Sequence, residues 1–205
     1  MSFTQEKNKL LSSAVKERLS PKRYTHTAAV ADAAKRLSSY CLPDSENEIE
    51  AAALLHDIAK EYSTEELVSL LEGSGKSISS EDLLSPAVLH SFAAPIVIRR
   101  DFPDFATENI LSSAYNHTIG APDMSVFDEI IFLADYIEDT RTYEHCKRVR
   151  EYVYSMLGSD RGENIKALHK ACVMAIDYTL IHLIENKKPI NSKNILTRNA
   201  LLSKI

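Results

Sequence analysis

Ala52-Ala53-Leu54-Leu55-His56-Asp57-Ile58-Ala59-Lys60 is an apolar run, begun at Ala51, that delivers a histidine and an aspartate side by side with a lysine one turn on. We read it as the end of a helix over residues 46 to 60. Adjacent residues on a helix point about 100° apart and rarely serve as partners to each other. At a helix end lining a cleft, an imidazole nitrogen and a carboxylate oxygen can instead converge on one ion. A lone His-Asp pair is more often a solvated or capping pair, so the other histidines decide what His56 and Asp57 mean.

Outward from this stretch, nearly every segment reads as helix. Residues 4 to 19 place Leu10, Leu11, Ala14, Val15 and Leu19 at helical spacing. Ser20-Pro21 breaks that helix and opens the next, with proline early as expected, and residues 22 to 40 carry His26, Ala29, Val30, Ala33 and Leu37 on one stripe. Ser63-Thr64-Glu65-Glu66 predicts a capping box opening a short helix to Leu71, followed by a polar loop over residues 72 to 77. Further helices are expected from Pro86 through His90 towards Arg100, and over 104 to 116, 125 to 139, 144 to 157 and 161 to 186. Asn191-Ser192 caps a last one to Ile205. No segment alternates cleanly enough for a sheet strand, so the expectation is one compact all-α domain over residues 1 to 205.

Composition narrows the function classes. The 205 residues suffice for a proper core, and 44% hydrophobic with 26% charged residues is ordinary for a globular chain. A net charge of -5 leaves no basic footprint for nucleic acid or anionic membrane, though a local basic pocket for phosphate is compatible with it. Cys41, Cys146 and Cys172 are odd in number and hold no C-x-x-C, so thiolate zinc sites and a disulfide framework are not expected. Reduced, buried thiols in a cytoplasmic protein are the simple reading. Met1-Ser2-Phe3-Thr4-Gln5-Glu6-Lys7 reads as the lead into an amphipathic helix rather than a signal peptide, and no apolar run approaches a membrane span.

Four of the seven histidines, His26, His56, His90 and His117, sit where helices can bring them together with Asp57 and Asp135. The steps from 26 to 56, 57 to 90, 90 to 117 and 117 to 135 are 30, 33, 27 and 18 residues, each about one helix pair, which can return a ligand to the same region of a bundle. Imidazole with carboxylate suits Fe, Mn, Co, Ni or Zn rather than Ca. Asp135 is the informative member: it interrupts the apolar Phe132-Leu133-Ala134-Asp135-Tyr136-Ile137, where a buried carboxylate needs a partner or a metal. The alternative puts it on a solvated face with Glu138, Asp139 and Arg141, and His26 alone reads equally as a hydrogen-bonded core histidine. Lys60 can reach a phosphate oxygen or merely balance a helix dipole. Arg23, three residues before His26, and Arg141 can each grip a phosphate or form a surface ion pair. His145, His169 and His182 are read as structural or surface residues.

The order His, His-Asp, His, His and a late Asp resembles the HD superfamily of metal-dependent phosphohydrolases. Within it, the chain is most similar to the YqeK family of symmetrical bis(5′-nucleosyl)-tetraphosphatases. The segments that carry the likeness are Arg23-Tyr24-Thr25-His26, His56-Asp57-Ile58-Ala59-Lys60, Pro86-Ala87-Val88-Leu89-His90, Asn116-His117-Thr118-Ile119-Gly120, Ala134-Asp135-Tyr136-Ile137-Glu138-Asp139-Thr140-Arg141 and Thr197-Arg198-Asn199. Two departures occur: Ser91-Phe92 follows the third histidine where the family has glycine, and Ile119 stands where it has a second threonine.

The resemblance implies an HD-type helical bundle, with a motif-bearing core over about 20 to 141 and a helical part over 142 to 205. It implies that His26, His56, Asp57 and Asp135 hold a divalent metal, iron first, with manganese, cobalt and nickel as alternatives. His90 and His117 either complete a second metal site or touch substrate phosphates. The implied catalytic set is Asp57, Lys60, His90 and His117, with substrate contacts from Arg23, Lys60, His90, His117, Thr118, Tyr136 and Arg141. The implied reaction is hydrolysis of diadenosine tetraphosphate to two ADP by a protein that acts on a small nucleotide and forms a homodimer. The competing readings are another HD phosphohydrolase, such as a nucleotide monophosphatase, and a nucleotide-binding sensor without turnover. A cyclic dinucleotide phosphodiesterase of this superfamily carries Gly-Tyr-Pro, which the chain lacks.

Overall fold

The computed structural model describes residues 3–205, so Met1 and Ser2, on which part of the N-terminal reading rests, lie outside the described residues. Among the described residues there are eleven α-helices and no strand. They are α1 (Gln5–Arg18), α2 (Pro21–Cys41), α3 (Glu46–Leu55), α4 (Thr64–Gly73), α5 (Ser80–Leu84), α6 (Leu89–Asp101), α7 (Glu108–Asn116), α8 (Val126–Ile137), α9 (Glu144–Met156), α10 (Arg161–Glu185) and α11 (Ser192–Leu202). The all-α expectation is met. The starts follow capping chemistry: Thr4, Ser63, Thr107, Ser125, Asp160 and Asn191 each accept a hydrogen bond from the first turn of their helix. Ser63 and Glu66 form the full reciprocal box expected there.

Two boundaries differ instructively from the sequence expectation. The helix expected over 46 to 60 ends at Leu55, and from His56 onwards the backbone tightens into i to i−3 bonds, Ile58 to Leu55, Lys60 to Asp57 and Tyr62 to Ala59. Pro86–Val88 is a 3₁₀ turn, so α6 proper begins at Leu89. Both changes leave a histidine at a helix terminus rather than inside one. The short α5 was not anticipated, although Ser79 and Asp82 make a capping box there.

α3 lies at the centre, its Ile49, Ala51, Ala52, Ala53 and Leu55 fully buried. It packs against α2, α7, α1 and α8, while α8 also touches α7, α9 and α10. Small alanines let α2 and α3 approach closely, and Leu37, Ile130, Ile131, Leu133 and Leu168 fill the layer between α2, α8 and α10. The three cysteines are buried and free. One correction concerns α10, which is long and apolar enough to cross a membrane by length and composition. Its Leu168, Ala171, Cys172, Ala175 and Ile176 form part of this core, together with the buried polar Asn164 and His169. The ends of α3, α7 and α8, the second turn of α2 and the start of α6 meet at one place, and there the site lies.

Candidate metal centre

His56, His90 and His117 share a local device. Each donates its Nδ1–H to the backbone carbonyl three residues earlier: Ala53 at 2.6 Å, Ala87 at 2.7 Å and Ala114 at 2.8 Å. A carbonyl oxygen only accepts, so Nδ1 carries the proton and Nε2 keeps its lone pair. The device works because each residue sits at a helix terminus, where the helix's own pairing does not claim that geometry. His26 is held by side chains on both nitrogens, with Nδ1 3.2 Å from Glu138 Oε1 and Nε2 towards the Asp135 carboxylate.

The ring centroids form a row, His26 to His56 at 5.7 Å, His56 to His117 at 4.9 Å and His117 to His90 at 5.1 Å. Asp57 divides its carboxylate along that row. Its Oδ2 lies 3.9 Å from His26 Nε2 and 3.8 Å from His56 Nε2, while its Oδ1 lies 3.1 Å from His90 Nε2 and 3.4 Å from His117 Nε2. Asp135 Oδ1 is 3.0 Å from His26 Nε2. Three overlapping donor sets result, in each of which the ligand atoms lie within 4.8 Å of one another: His26, His56 and Asp57; His56, His117 and Asp135; Asp57, His90 and His117.

This donor set fits a divalent transition metal. His56 Nε2 is fully buried and has no hydrogen-bond partner, a costly state for a bare imidazole nitrogen unless it ligates an ion. Burial pulls the imidazoles of His56 and His90 down to about 4, so both are neutral and ready to ligate at neutral pH. Burial works against the Asp57 carboxylate, but the neighbouring His56, His117, His90 and Lys60 outweigh it and hold the group well below the usual range. Asp135 behaves alike: the His26 hydrogen bond and the Arg141 charge overcome burial. For His26, burial lowers the imidazole's affinity for its proton, and Asp135 and Glu138 more than restore it.

Cations surround the row. Arg23 Nη1 donates to Asp57 Oδ2 at 3.0 Å, and Arg141 Nη2 donates to Asp135 Oδ1 at 2.8 Å. Lys60 Nζ is 3.0 Å from His90 Nε2 and 4.0 Å from Asp57 Oδ1, and Thr118 Oγ1 is 3.3 Å from His90 Nε2. A polar cavity of about 670 Å³ opens on His26 and is lined by Arg23, Arg141, Lys22, Thr140 and Tyr143 among others. Among the expected residues, Tyr136 stands apart. It packs on His145, and its buried hydroxyl has no hydrogen-bond partner, so it backs the site rather than facing that cavity.

Three contributors escaped the sequence reading. Glu138, 1% exposed, was grouped with the solvated acids, yet it accepts from His26, from Thr140 N at 2.6 Å and from Thr140 Oγ1 at 2.7 Å. Arg150 donates to the carbonyls of Ile137, Glu138 and Arg141 and so folds the segment after α8 back over the row. Buried Glu129 binds His169 and, at 2.9 Å, Lys204, tying α8 to α10 and the C-terminal end. Glu138 had a signal, its place in the segment with Asp135 and Arg141, whereas the other two act across contacts no local window contains.

The HD domain family matches residues 23–140. A protein of Halalkalibacterium halodurans named bis(5'-nucleosyl)-tetraphosphatase, symmetrical, is 30% identical over 190 residues, 92% of this chain and 93% of that one. A Bacillus subtilis protein of the same name is 28% identical over 189 residues, 92% of this chain and 94% of that one. The crystal structure of a Clostridium acetobutylicum protein, described as a predicted HD superfamily hydrolase involved in NAD metabolism, superposes with a TM-score of 0.82. It is 27% identical, and the match covers 96% of this chain and 97% of that one.

Proposed function

The chain belongs to the HD domain family, and on that premise we infer that it is a divalent-metal-dependent hydrolase that splits diadenosine tetraphosphate symmetrically into two ADP. The observation that carries the reading is the divided carboxylate of Asp57, one oxygen towards His26 and His56 and the other towards His90 and His117, within a ring of cations. The names of the Halalkalibacterium and Bacillus relatives supply the substrate class.

In this proposal His26, His56, Asp57 and Asp135 hold one ion, and Asp57, His90 and His117 hold a second. Iron is the ion we propose, because mixed imidazole and carboxylate donors suit it, as they do manganese, cobalt and nickel. An ion bound there supplies Lewis acidity at the phosphoryl oxygens and water of lowered pKa. Arg23 and Arg141, each already paired with a ligand carboxylate, present their remaining N–H groups to the cavity, where they align the polyphosphate. Lys60 and Thr118 stand at the His90 end and donate to the phosphoryl oxygens there. Water oxygen bonds to one inner phosphorus, the bond from that same phosphorus to the bridging oxygen breaks, and the ADP that departs with the bridging oxygen leaves as an anion that Lys60 stabilises, the water's proton being released. One water is consumed for two ADP.

The test is anaerobic incubation with Fe²⁺ and diadenosine tetraphosphate, with products separated by chromatography and NAD as a control substrate. ADP as the sole nucleotide product is expected. AMP with ATP, or hydrolysis of NAD in preference, overturns the assignment.

A further inference from the structure

We propose that an apolar cavity at the far end of the histidine row seats one nucleobase of the substrate, so that the row lies between two nucleoside seats. The inference rests on the symmetrical cleavage proposed above. Cleavage at the middle of a substrate with a nucleoside at each end requires room for an ADP-sized arm on both sides of the reacting phosphorus. The polar cavity opens on His26, one end of the row. At the other end, Thr118 lies 3.3 Å from His90 Nε2 and also lines a second cavity of about 360 Å³. Ala87, whose carbonyl holds His90 Nδ1, lines it too. The second cavity therefore touches the row through two residues that already contact His90.

Its chemistry differs from that of the first. Leu84, Ile119, Leu183 and Pro189 make walls suited to the faces of a flat ring rather than to phosphate. Leu84 is 66% exposed, an apolar side chain at the rim that a seated ring would cover. Polar groups also line it, Ser85, Thr179, Lys188 and Asn191 among them, and one further such group bears on the choice of ring. Asn194 is buried and donates Nδ2–H to the Ile119 carbonyl at 3.4 Å, which leaves its Oδ1 without a donor. An unpaired amide acceptor in an apolar slot selects a ring that carries an exocyclic amine, as adenine does. The phosphates then run past Thr118 and Lys60 to Asp57, and the second nucleoside occupies the Arg23, Arg141 and Tyr143 side.

Leu183→Glu tests the seat, because Leu183 lies on the half-exposed side of α10 and places a charge in the slot without touching the histidine row. The measurement is KM and kcat for diadenosine tetraphosphate and for adenosine 5′-tetraphosphate, which has a single nucleoside. In the variant, KM for diadenosine tetraphosphate rises tenfold or more at similar kcat, while KM for adenosine tetraphosphate moves less than twofold. Leu183→Trp, which fills the slot with an apolar ring, gives the same split and serves if the glutamate variant does not fold. Equal changes for both substrates, or no change for either, overturn the two-seat arrangement while leaving symmetrical hydrolysis intact. A parent protein that turns over neither substrate removes the functional reading and this proposal with it.

Discussion

Removal of Glu138 isolates what a carboxylate outside the donor set contributes to the centre. Glu138→Ala deletes the acceptor of His26 Nδ1–H and the two bonds from Thr140. Thr140 is exposed, so water replaces those bonds at small cost. His26 is only 14% exposed on its side chain, and without Glu138 its ring loses both the fixed tautomer and the fixed rotation that aim Nε2 at Asp57 and Asp135. Such supporting partners are worth about 10- to 100-fold in metal affinity, or about 1.4 to 2.8 kcal/mol. Glu138→Gln keeps one carbonyl acceptor and so falls near the lower bound, with Glu138→Ala near the upper. The assay is calorimetric titration of chelator-stripped protein with Mn²⁺, beside a thermal melt of the apoprotein. The melts should differ little and the affinities much. A folded Glu138→Ala protein that binds Mn²⁺ within twofold of the parent would refute the orienting role and with it His26 as a ligand.

Asp57→Ala removes the carboxylate common to two of the three donor sets, so metal content and turnover should vanish together while the melt shows a folded protein; full turnover would sink the assignment. Gly120→Ala meets two obstacles, a φ of +72° and a Cβ placed 2.5 Å from Thr197 Cγ2, a fully buried side chain that cannot swing away. It should cost about 1 to 3 kcal/mol in urea unfolding, and Thr197→Ala in the same chain should recover only the part due to the clash. Asp101 offers a pH test: the hydrogen bonds from Arg100, with those from Arg18, hold its carboxyl down to about 2. A carboxyl lowered on folding adds stability above its ordinary pKa of about 3.9, which is lost as pH falls towards the folded value. Arg18 and Arg100 are each about half exposed to solvent, which screens the pairs, so the term stays below about 1 kcal/mol. The difference in Tm between the parent and Asp101→Asn should therefore shrink between pH 5 and pH 2, and a gap constant over that range would refute the linkage.

What could be read from the chain, and what could not, follows from the range over which each contact acts. Leu11, Val15, Val30, Leu37 and Ile131 announced their helices because an amphipathic stripe is a local pattern, repeated every turn. Helix-pair spacing drew His26, His56, His90 and His117 together with Asp57 and Asp135, but their reading as candidate ligands came from the resemblance to the HD superfamily, because on local grounds Asp135 and His26 read equally as a solvated acid and a core histidine. The helix through His56 was drawn five residues too long, since nothing in Ile58-Ala59-Lys60 opposes helix. The structure ends it at Leu55, the position from which His56 Nδ1 can bond Ala53 O and leave Nε2 bare. That termination is a property of the assembled site rather than of the local sequence. Glu138 and Glu129 show the same limit for charge. Glu138 read as a solvated acid beside Asp139, and Glu129 drew no reading at all, yet both are buried because partners 112, 40 and 75 residues away, His26, His169 and Lys204, close over them. A charge enters the core only when the whole set of its partners is in place, so its burial is written in tertiary contacts that no window of the sequence contains. The second cavity belongs to the same class, because Thr118 and Leu183 meet only after α10 and α11 have packed against the turn at Gly120.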